Sequence, residues 1–337
     1  MLQCYPLSCA ASAMPATRID IVYLWVDGAD PAWHARRQQA YADWARAHPG
    51  QLALHGNVAG RYRDNGELRY NLRALERFFP DHGHVYLLTD RQVPAWLRAS
   101  ARLTVIDHAS LMPGASLPVF DSGHIESYLH HIPGLSERFL YLNDDVFIGA
   151  PFVPAFWFGE DGDRRLSVFT ESALQPDVQC LRADVAAPVN CATLSRQWLS
   201  AQYADYRHEP QLYAHAPRPM LKSALHALEA LAPAMFAGVR ATVFRSWQVP
   251  ALLPDLVPRW MVHQGMARAR MLDPLHIASG DVEAPQQLEQ LLAQFGTLPF
   301  FCINDTCDEA DDDDPRLLRV AATLQRLLPL PSSFEHA

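Results

Sequence analysis

The stretch 138–149 limits what this chain can fold into more than any other part of the sequence. Its residues 139–142 are apolar or aromatic, which is typical of a strand buried on both faces, and the polar residues Asn143, Asp144 and Asp145 follow directly. Adjacent acids at the carboxyl end of a buried strand are unfavourable unless a counter-charge compensates them. Carboxylate oxygens suit Mg²⁺ or Mn²⁺, so the stretch predicts a metal site, and a solvated surface turn is the alternative.

Further strand-like runs alternate with helical patterns along the first half of the chain. The runs 19–25, 84–90 and 102–107 have strand composition, and each reaches an aspartate at or just after its end. Strands separated by helices imply an α/β fold with a mostly parallel, doubly wound sheet. Ligands bind such sheets at the carboxyl ends of the strands, so the acids at these ends, Asp27 among them, are candidate site residues.

Composition and motif content exclude several classes of protein. The net charge of −9 over 337 residues argues against general nucleic-acid binding, which needs a basic face. No apolar run approaches the roughly 18 residues that a membrane span needs. The six cysteines are interpreted as free thiols in a reducing compartment, with a Cys302–Cys307 pair as the alternative. The motifs of P-loop kinases, Rossmann dehydrogenases and α/β-hydrolases are absent.

A basic helix is predicted to begin after Asp64. Asp64 and Glu67 have the spacing of a capping box, which marks a helix start. Arginines recur at intervals of four along this helix, with Arg73 at the centre, and therefore share one side. That side is either a solvated basic face or, together with Arg63, a surface that meets a diphosphate.

Four blocks of the sequence carry a family resemblance. They are residues 19–31, residues 61–65 continuing to 133–147, residues 215–219 with 244–246, and residues 302–305. On these blocks the chain resembles the Stealth family of sugar-1-phosphate transferases. That family includes bacterial capsular polysaccharide phosphotransferases and the animal N-acetylglucosamine-1-phosphotransferase of lysosomal targeting.

The resemblance implies a fold of the A-type nucleotide-sugar transferase kind. It also implies a reaction that moves a sugar-1-phosphate from a UDP-sugar to an acceptor hydroxyl and releases UMP. The implied substrate-binding residues are Trp25, Val26, Gly28, Arg63, Asp64, Asn65, Arg73 and Asn304, and Asp144 and Asp145 are the implied ligands of Mg²⁺ or Mn²⁺. The catalytic candidates are His215, Arg245, Asp27 and Asp305. His215 is the preferred base, with Asp27 or Asp305 as alternatives, and Arg245 joins Arg63 and Arg73 as a phosphate clamp.

The chain is divided accordingly into four parts. They are a disordered extension (1–17), a nucleotide-sugar-binding α/β core (18–150), a mainly helical acceptor region (151–290) and a segment that returns to the active site (291–337). The expected donor is UDP-N-acetylglucosamine or a related UDP-hexosamine, and the expected acceptor is a glycan or a lipid-linked glycan. The expected location is the cytoplasm, with peripheral contact at the inner membrane, and a homodimer is one assembly considered. A metal-dependent glycosyltransferase that releases UDP and a non-catalytic sugar-binding module stay open as alternatives.

Overall fold

The fold is built on strands that lie far apart in the sequence. A computed structural model describes residues 18–160, 162–175, 181–311 and 313–336, so the predicted extension 1–17 lies outside the described residues. The strands are β1 (Ile19–Leu24), β2 (Val85–Thr89), β3 (Leu103–Asp107), β4 (Arg138–Asn143), β5 (Val146–Ile148), β6 (Leu166–Leu174), β7 (Gln211–Tyr213), β8 (Arg218–Leu221), β9 (Ala267–Met271), β10 (Leu275–Ala278) and β11 (Phe300–Asn304).

Helices connect and cover these strands. They are α1 (Pro31–Ala47), α2 (Glu67–Phe78), α3 (His108–Leu111), α4 (Ser122–Glu126), α5 (Pro154–Phe158), α6 (Ala187–Gln202), α7 (Lys222–Leu231), α8 (Pro233–Val239), α9 (Val257–His263), α10 (Ala284–Gln294) and α11 (Pro315–Leu327). Short 3₁₀ helices lie at Ala59–Arg61, Gly114–Ser116 and Leu129–His131, and a π-helical segment at Leu252–Leu256. None of the helices in the described part of the chain is long and apolar enough to cross a membrane.

The central sheet has the strand order β3–β2–β1–β4–β8. Its neighbours pair in parallel except β4 and β8, which are antiparallel. β1 and β4 lie side by side in the middle, with Ile21 opposite Leu140 and Leu24 opposite Asn143. All of β1 and the apolar part of β4 are buried, which explains why both read as continuous apolar runs. The predicted α/β fold with a mostly parallel sheet is confirmed.

The region 151–290, predicted to be mainly helical, contains strands β6 to β10 beside its helices. β6 pairs in parallel with β9 and antiparallel with β7, and it forms a second sheet with them. Leu166 in β6 lies opposite Ala267, so the strand depends on a partner about a hundred residues away. Local sequence patterns do not report such long-range pairing.

A third sheet brings the C-terminal part of the chain back to the central acids. β11 pairs in parallel with β10 and antiparallel with β5, which begins directly after Asp145. The N–H of Ile303 also donates to the backbone oxygen of Asp145 at 3.0 Å. Asn304 and Asp305, at the end of β11, therefore lie beside Asp144 and Asp145.

Arg73 is placed away from the predicted phosphate site. Its Nε and Nη2 donate to the two carboxylate oxygens of Glu335, both at 2.7 Å, and its Nη1 donates to the backbone oxygen of Leu328 at 2.7 Å. The side chains of Arg73 and Glu335 are only 5% and 0% exposed. Arg73 thus holds the C-terminal segment against α2, and four of the five N–H donors of its guanidinium are used within the fold.

The start of α2 also differs from the prediction. Its N-cap is Gly66, which has a φ of 85°, and no side chain caps the helix. Asp64 accepts instead from the N–H of Gly66 at 2.8 Å, and Glu67 accepts from the N–H of Asn65 at 2.6 Å. The predicted capping box is therefore wrong, because the chain makes a left-handed turn at the glycine before the helix begins.

Candidate active site

A cavity of about 470 Å³ opens at the carboxyl ends of β1 and β4, and its volume is in the range of small-molecule sites. The predicted site residues that line it are Trp25, Val26, Arg63, Asp144, Asp145, His215, Arg245, Asn304 and Asp305. The predicted site residues that lie outside its lining are Asp27, Gly28, Asp64, Asn65 and Arg73. The structure thus brings Asp144 and Asp145, the loop that carries His215, and the end of β11 into one cavity.

The carboxylate of Asp145 is held by three neighbours. His215 Nε2 lies 3.1 and 3.2 Å from its two oxygens, the Asn304 amide donates at 3.3 Å, and the Cys302 thiol donates at 3.6 Å. Burial opposes ionisation of Asp145, but His215, Cys302 and the nearby His276 outweigh it and lower the pKa of Asp145. Asp145 is therefore a carboxylate at neutral pH, and it fixes the position of His215.

Asp144 lies at the centre of an acidic cluster. Burial raises the pKa of Asp144 well above its usual range, and Asp145, Glu67 and Asp64 raise it further. Burial likewise raises the pKa of Glu67 to about 8, and it raises the pKa of Asp64. These acids are close enough for each to oppose ionisation of its neighbours. A bound cation would compensate the charge and allow the group to ionise.

The donors around Asp144 fit a hard divalent cation. The carboxyl groups of Asp144, Asp64 and Glu67 supply oxygen atoms, which Mg²⁺ and Mn²⁺ prefer. The opposite side of Asp145 is chemically different, because its carboxylate, His215 and Cys302 offer oxygen, nitrogen and sulfur atoms within 4.8 Å of one another. By donor chemistry Asp144 and Asp145 are candidate ligands of Mg²⁺ or Mn²⁺, although among the described residues Asp144, Asp64 and Glu67 do not bring three ligand atoms within that distance of one another.

Arg61 and Arg245 form a basic wall of the cavity. Desolvation and then the charge of Arg245 lower the pKa of Arg61, and Arg61 Nε has no hydrogen-bond partner among the described residues. Arg245 donates from Nη2 to Ser122 Oγ at 2.9 Å, and its Nε lies 4.0 Å from a carboxylate oxygen of Asp121. The desolvated guanidinium of Arg61 and the neighbouring one of Arg245 favour an anion near them, and Asp121 supplies only part of that charge. Sequence reasoning found Arg245 and missed Arg61, although Arg61 begins the block 61–65.

Two further polar groups of the cavity were missed from the sequence. Arg218, the first residue of β8, lines the cavity and donates to Asn143 Oδ1 at 3.4 Å. Glu126 accepts from the Tyr141 hydroxyl at 2.9 Å, and its Oε2 has no hydrogen-bond partner in the described part of the chain. Arg218 belongs to the block 215–219, which was a usable signal, whereas no local pattern marks Glu126.

Arg63 is engaged by the fold. Its Nη1 donates to Asp305 Oδ2 at 2.6 Å and to the backbone oxygen of Cys307 at 3.1 Å, and its Nη2 donates to the backbone oxygen of Ala310 at 2.9 Å. Asn65 donates to the same oxygen of Asp305 at 3.2 Å, and the other oxygen accepts from the N–H of Cys307 at 2.8 Å. These bonds position the C-terminal loop at the cavity. They leave Asp305 little capacity to accept a proton from a substrate.

Asp27 and Gly28 support the cavity wall from behind. The N–H of Gly28 donates to the backbone oxygen of Tyr62 at 2.7 Å, and a Cβ at this position would lie 2.4 Å from that oxygen. Only glycine allows this approach, which joins the loop after β1 to the segment that carries Arg61. Asp27 Oδ1 accepts from the N–H of Ala29 at 2.9 Å and thereby stabilises the turn.

Comparisons with known proteins agree with the first two of the four blocks identified in the sequence. Residues 61–166 match the model of conserved region 2 of Stealth proteins, and residues 17–41 match conserved region 1. An exopolysaccharide phosphotransferase of Streptomyces coelicolor is 37% identical over 320 residues, which cover 94% of this chain and 52% of that protein. The chain belongs to the Stealth family. The predicted family is therefore confirmed.

Other relatives of this Stealth chain carry similar names. An exopolysaccharide phosphotransferase of Mycobacterium tuberculosis is 30% identical, with 94% of this chain and 58% of that protein covered. A capsular polysaccharide phosphotransferase of Streptococcus pneumoniae is 29% identical, with 94% of this chain and 99% of that protein covered. The chain thus spans about half the length of the Streptomyces and Mycobacterium relatives.

Solved structures resemble this Stealth chain only at low identity. A galactosyltransferase in complex with donor and acceptor sugar analogues has a TM-score of 0.40 at 10% identity, covering 93% of this chain and 98% of that one. The inositol-1-phosphate CTP transferase from T. maritima has a TM-score of 0.40 at 12% identity, with the same coverage. Neither similarity carries a functional conclusion.

Proposed function

We propose that this chain transfers a sugar-1-phosphate from a UDP-sugar to a hydroxyl group of a glycan, in the synthesis of an exopolysaccharide or capsule. The acceptor oxygen attacks the phosphorus next to the sugar, the bond between the two phosphates breaks, and UMP leaves. The product is a phosphodiester. The observation that carries the proposal is the pairing, in one cavity, of an acidic cluster at Asp144 with a basic wall at Arg61 and Arg245. The names of the relatives support it.

The acidic side is proposed to hold Mg²⁺ or Mn²⁺ through Asp144 and Asp145. When bound, the ion supplies positive charge to the phosphate oxygens and to the leaving UMP. The chain buries Asp144 beside Glu67 and Asp64, which raises the pKa of these acids, and a bound ion would supply the positive charge that lets them ionise. Asn304 and His215 hold Asp145 in place beside them.

The basic wall is proposed to bind the transferred phosphate. Guanidinium groups pair with phosphate oxygens through two parallel hydrogen bonds, and Arg61 and Arg245 are close enough to act together. Arg218 adds a third positive group at the start of β8. Phosphoryl transfer depends mainly on positioning and charge neutralisation, which these side chains provide. Arg63 acts indirectly, by holding Asp305 and the loop that follows it.

His215 is the proposed general base. When its Nε2–H donates to Asp145, the lone pair of Nδ1 is free to take the proton of the acceptor hydroxyl. The Asp145 carboxylate then stabilises the imidazolium that forms. Asp305 is a weaker candidate because its oxygens already accept from Arg63, Asn65 and Cys307, and Asp27 lies outside the cavity lining.

UDP-N-acetylglucosamine or a related UDP-hexosamine is the proposed donor. The proposed acceptor is a glycan, free or lipid-linked, and the reaction is placed in the cytoplasm at the surface of the inner membrane. These assignments rest on the family and on the relatives' names, which concern capsular and exopolysaccharides.

The released nucleotide tests the proposal. The protein is incubated with a panel of UDP-sugars, glycan acceptors and Mg²⁺ or Mn²⁺, and UMP and UDP are separated and quantified. UMP is the expected product. Release of UDP would contradict the proposal and indicate a glycosyltransferase, and failure of every donor would contradict the UDP-sugar assignment.

Two variants link this reaction to the site. Asp145→Asn should abolish metal-dependent UMP release. Asp90→Asn is the matched control, because Asp90 also lies at a strand end but pairs with Arg36 at 3.0 Å outside the cavity lining. Full activity of the Asp145 variant would exclude the role proposed for that carboxylate.

A further inference from the structure

A cluster of three histidines and one glutamate lies outside the cavity lining. His130, His131, His226 and Glu229 each offer one ligand atom, and these atoms all lie within 4.8 Å of one another. None of the four lines the active-site cavity. The cluster is therefore separate from the acids and from His215.

The cluster joins two segments that are about a hundred residues apart. His130 and His131 end the 3₁₀ helix Leu129–His131, which precedes β4. His226 and Glu229 are three residues apart on α7 and so share one face of that helix. The side chains of His130 and His131 on the first segment therefore meet those of His226 and Glu229 on the second.

Glu229 is the common partner in this cluster. His130 Nε2 lies 2.5 Å and His131 Nε2 lies 2.8 Å from the same oxygen, Glu229 Oε2. The rings of His130 and His226 are 4.6 Å apart, measured between centroids. Two imidazole nitrogens thus contact one carboxylate oxygen, and a third imidazole ring lies beside them. Four metal ligands adopt this kind of arrangement when they close up on one another without their ion. Tetrahedral zinc with bonds of about 2.0–2.1 Å would require these atoms to separate by only about half an ångström to one ångström.

The surrounding residues orient the carboxylate of Glu229, and His130 approaches it from the buried side. Arg240 donates to the other oxygen of Glu229, and its Nε donates to Ser127 Oγ at 3.0 Å. Such outer contacts commonly position metal ligands. His130 is 1% exposed, and its Nδ1 has no hydrogen-bond partner among the described residues. The nitrogen of His130 that faces Glu229 is Nε2, so the ring reaches the cluster from its buried side and the unpartnered Nδ1 lies on the other side of the ring.

We infer that His130, His131, His226 and Glu229 form a zinc-binding site. Three imidazoles and one carboxylate make a closed four-ligand set that suits Zn²⁺ and disfavours Mg²⁺, which prefers oxygen ligands. The four protein ligands leave no open position for a substrate, so the role of the ion is structural.

The site braces the basic wall of the active site. The segment before His130 carries Asp121 and Ser122, and the segment after Glu229 carries Arg245; all three of these residues line the cavity. Arg245 already donates to Ser122, and Thr242 donates to Asp121 at 2.8 Å. An ion that joins the 3₁₀ helix Leu129–His131 to α7 would therefore also hold the segment of Asp121 and Ser122 against the segment of Arg245, from a position outside the cavity.

Cobalt binding to the full chain tests this inference. After chelation and desalting, Co²⁺ is added, and the visible absorption of four-coordinate cobalt is followed to its end point. Zn²⁺ then displaces it in competition, and the bound metal is counted by elemental analysis. One equivalent of tightly bound metal is expected, with a rise in Tm of about 5 °C when Zn²⁺ is a hundredfold above its dissociation constant.

Variants distinguish this site from the active site and from surface histidines. His226→Ala and His131→Ala change exposed ligands, so each variant should stay folded and lose the cobalt band. The affinity for zinc should fall by at least about a hundredfold. His336→Ala is the matched exposed control and should keep the band. Asp145→Asn should also keep it.

Two results would overturn the inference. Loss of the band in Asp145→Asn, with retention in His226→Ala, would place the ion in the active site. If the wild type binds no cobalt, or if the His226 and His131 variants bind it unchanged, the cluster is only a hydrogen-bonded group of histidines around Glu229.

Discussion

Replacing Arg73 by methionine should destabilise the protein without weakening donor binding. The substitution leaves the carboxylate of Glu335 buried, with 0% side-chain exposure, and removes three hydrogen bonds of 2.7 Å. Breaking a buried ion pair by removing one partner lowers stability by about 3–5 kcal/mol. Arg69 still donates to Glu335 at 2.5 Å, so the lower end, about 3 kcal/mol, is expected.

Urea unfolding at 25 °C measures this change, and KM for the donor is measured on the folded variant. Arg77→Met is the matched control, because Arg77 lies one turn further along α2, is exposed and donates to the backbone oxygen of Leu327 at 3.1 Å instead of to the carboxylate of Glu335. The free energy of unfolding of the Arg77 variant should fall by about 1 kcal/mol, the contribution of one hydrogen bond, and therefore by much less than that of the Arg73 variant. Unchanged stability of the Arg73 variant together with a large increase in donor KM would refute the structural role and restore the predicted contact with phosphate.

Three further predictions concern the cavity. Asp144→Asn should reduce metal-dependent turnover by about 10²–10³-fold, measured as UMP release, with Asp90→Asn as control. Arg61→Gln should lower kcat/KM for the donor by about ten- to a hundredfold, because a hydrogen bond to a charged group contributes about 1.5–3 kcal/mol; an unchanged value would exclude Arg61 from the phosphate site. Burial raises the pKa of Glu67 from 4.5 to about 8, so its proton stabilises the folded state below pH 4.5, and this contribution is lost as pH rises through about 8. The metal-free protein should therefore lose Tm as the pH rises from about 4.5 to about 8, with little further loss from this group above pH 8, and Glu67→Gln should lose less over the same range; identical pH profiles would contradict this.

The part of the site that sequence could predict follows from one rule. Buried apolar runs that end in acids identify parallel strands, and the carboxyl ends of such strands meet at one edge of the sheet. That rule and the family resemblance together named Asp144, Asp145, His215 and Asn304. In the structure His215 and Asn304 both hydrogen-bond to Asp145, and Asp144 is its neighbour in the sequence. The position at a strand end was sufficient for Asp144, Asp145 and Asn304, whereas His215 lies in the loop between β7 and β8 and was named from the family resemblance.

The part that sequence could not predict depends on contacts between distant segments. Helical spacing showed that Arg73 shares a side of α2 with other arginines, but not that this side meets Glu335, which is 262 residues away. Arg218 enters the cavity only because β8 pairs antiparallel with β4. The strands of region 151–290 likewise need partners far along the chain. Local patterns determine which side chains share a face, and tertiary structure determines what the face contacts.

The fate of the phosphorus next to the sugar tests the proposed reaction most directly. A UDP-sugar carrying radioactive phosphorus at that position is incubated with the protein, a glycan acceptor and Mg²⁺ or Mn²⁺, and the nucleotide and glycan are separated. If the bond between the two phosphates breaks, the label appears in the glycan and the UMP is unlabelled. Label recovered in UDP, with an unlabelled glycan product, would show that the sugar–oxygen bond breaks instead and would contradict the account.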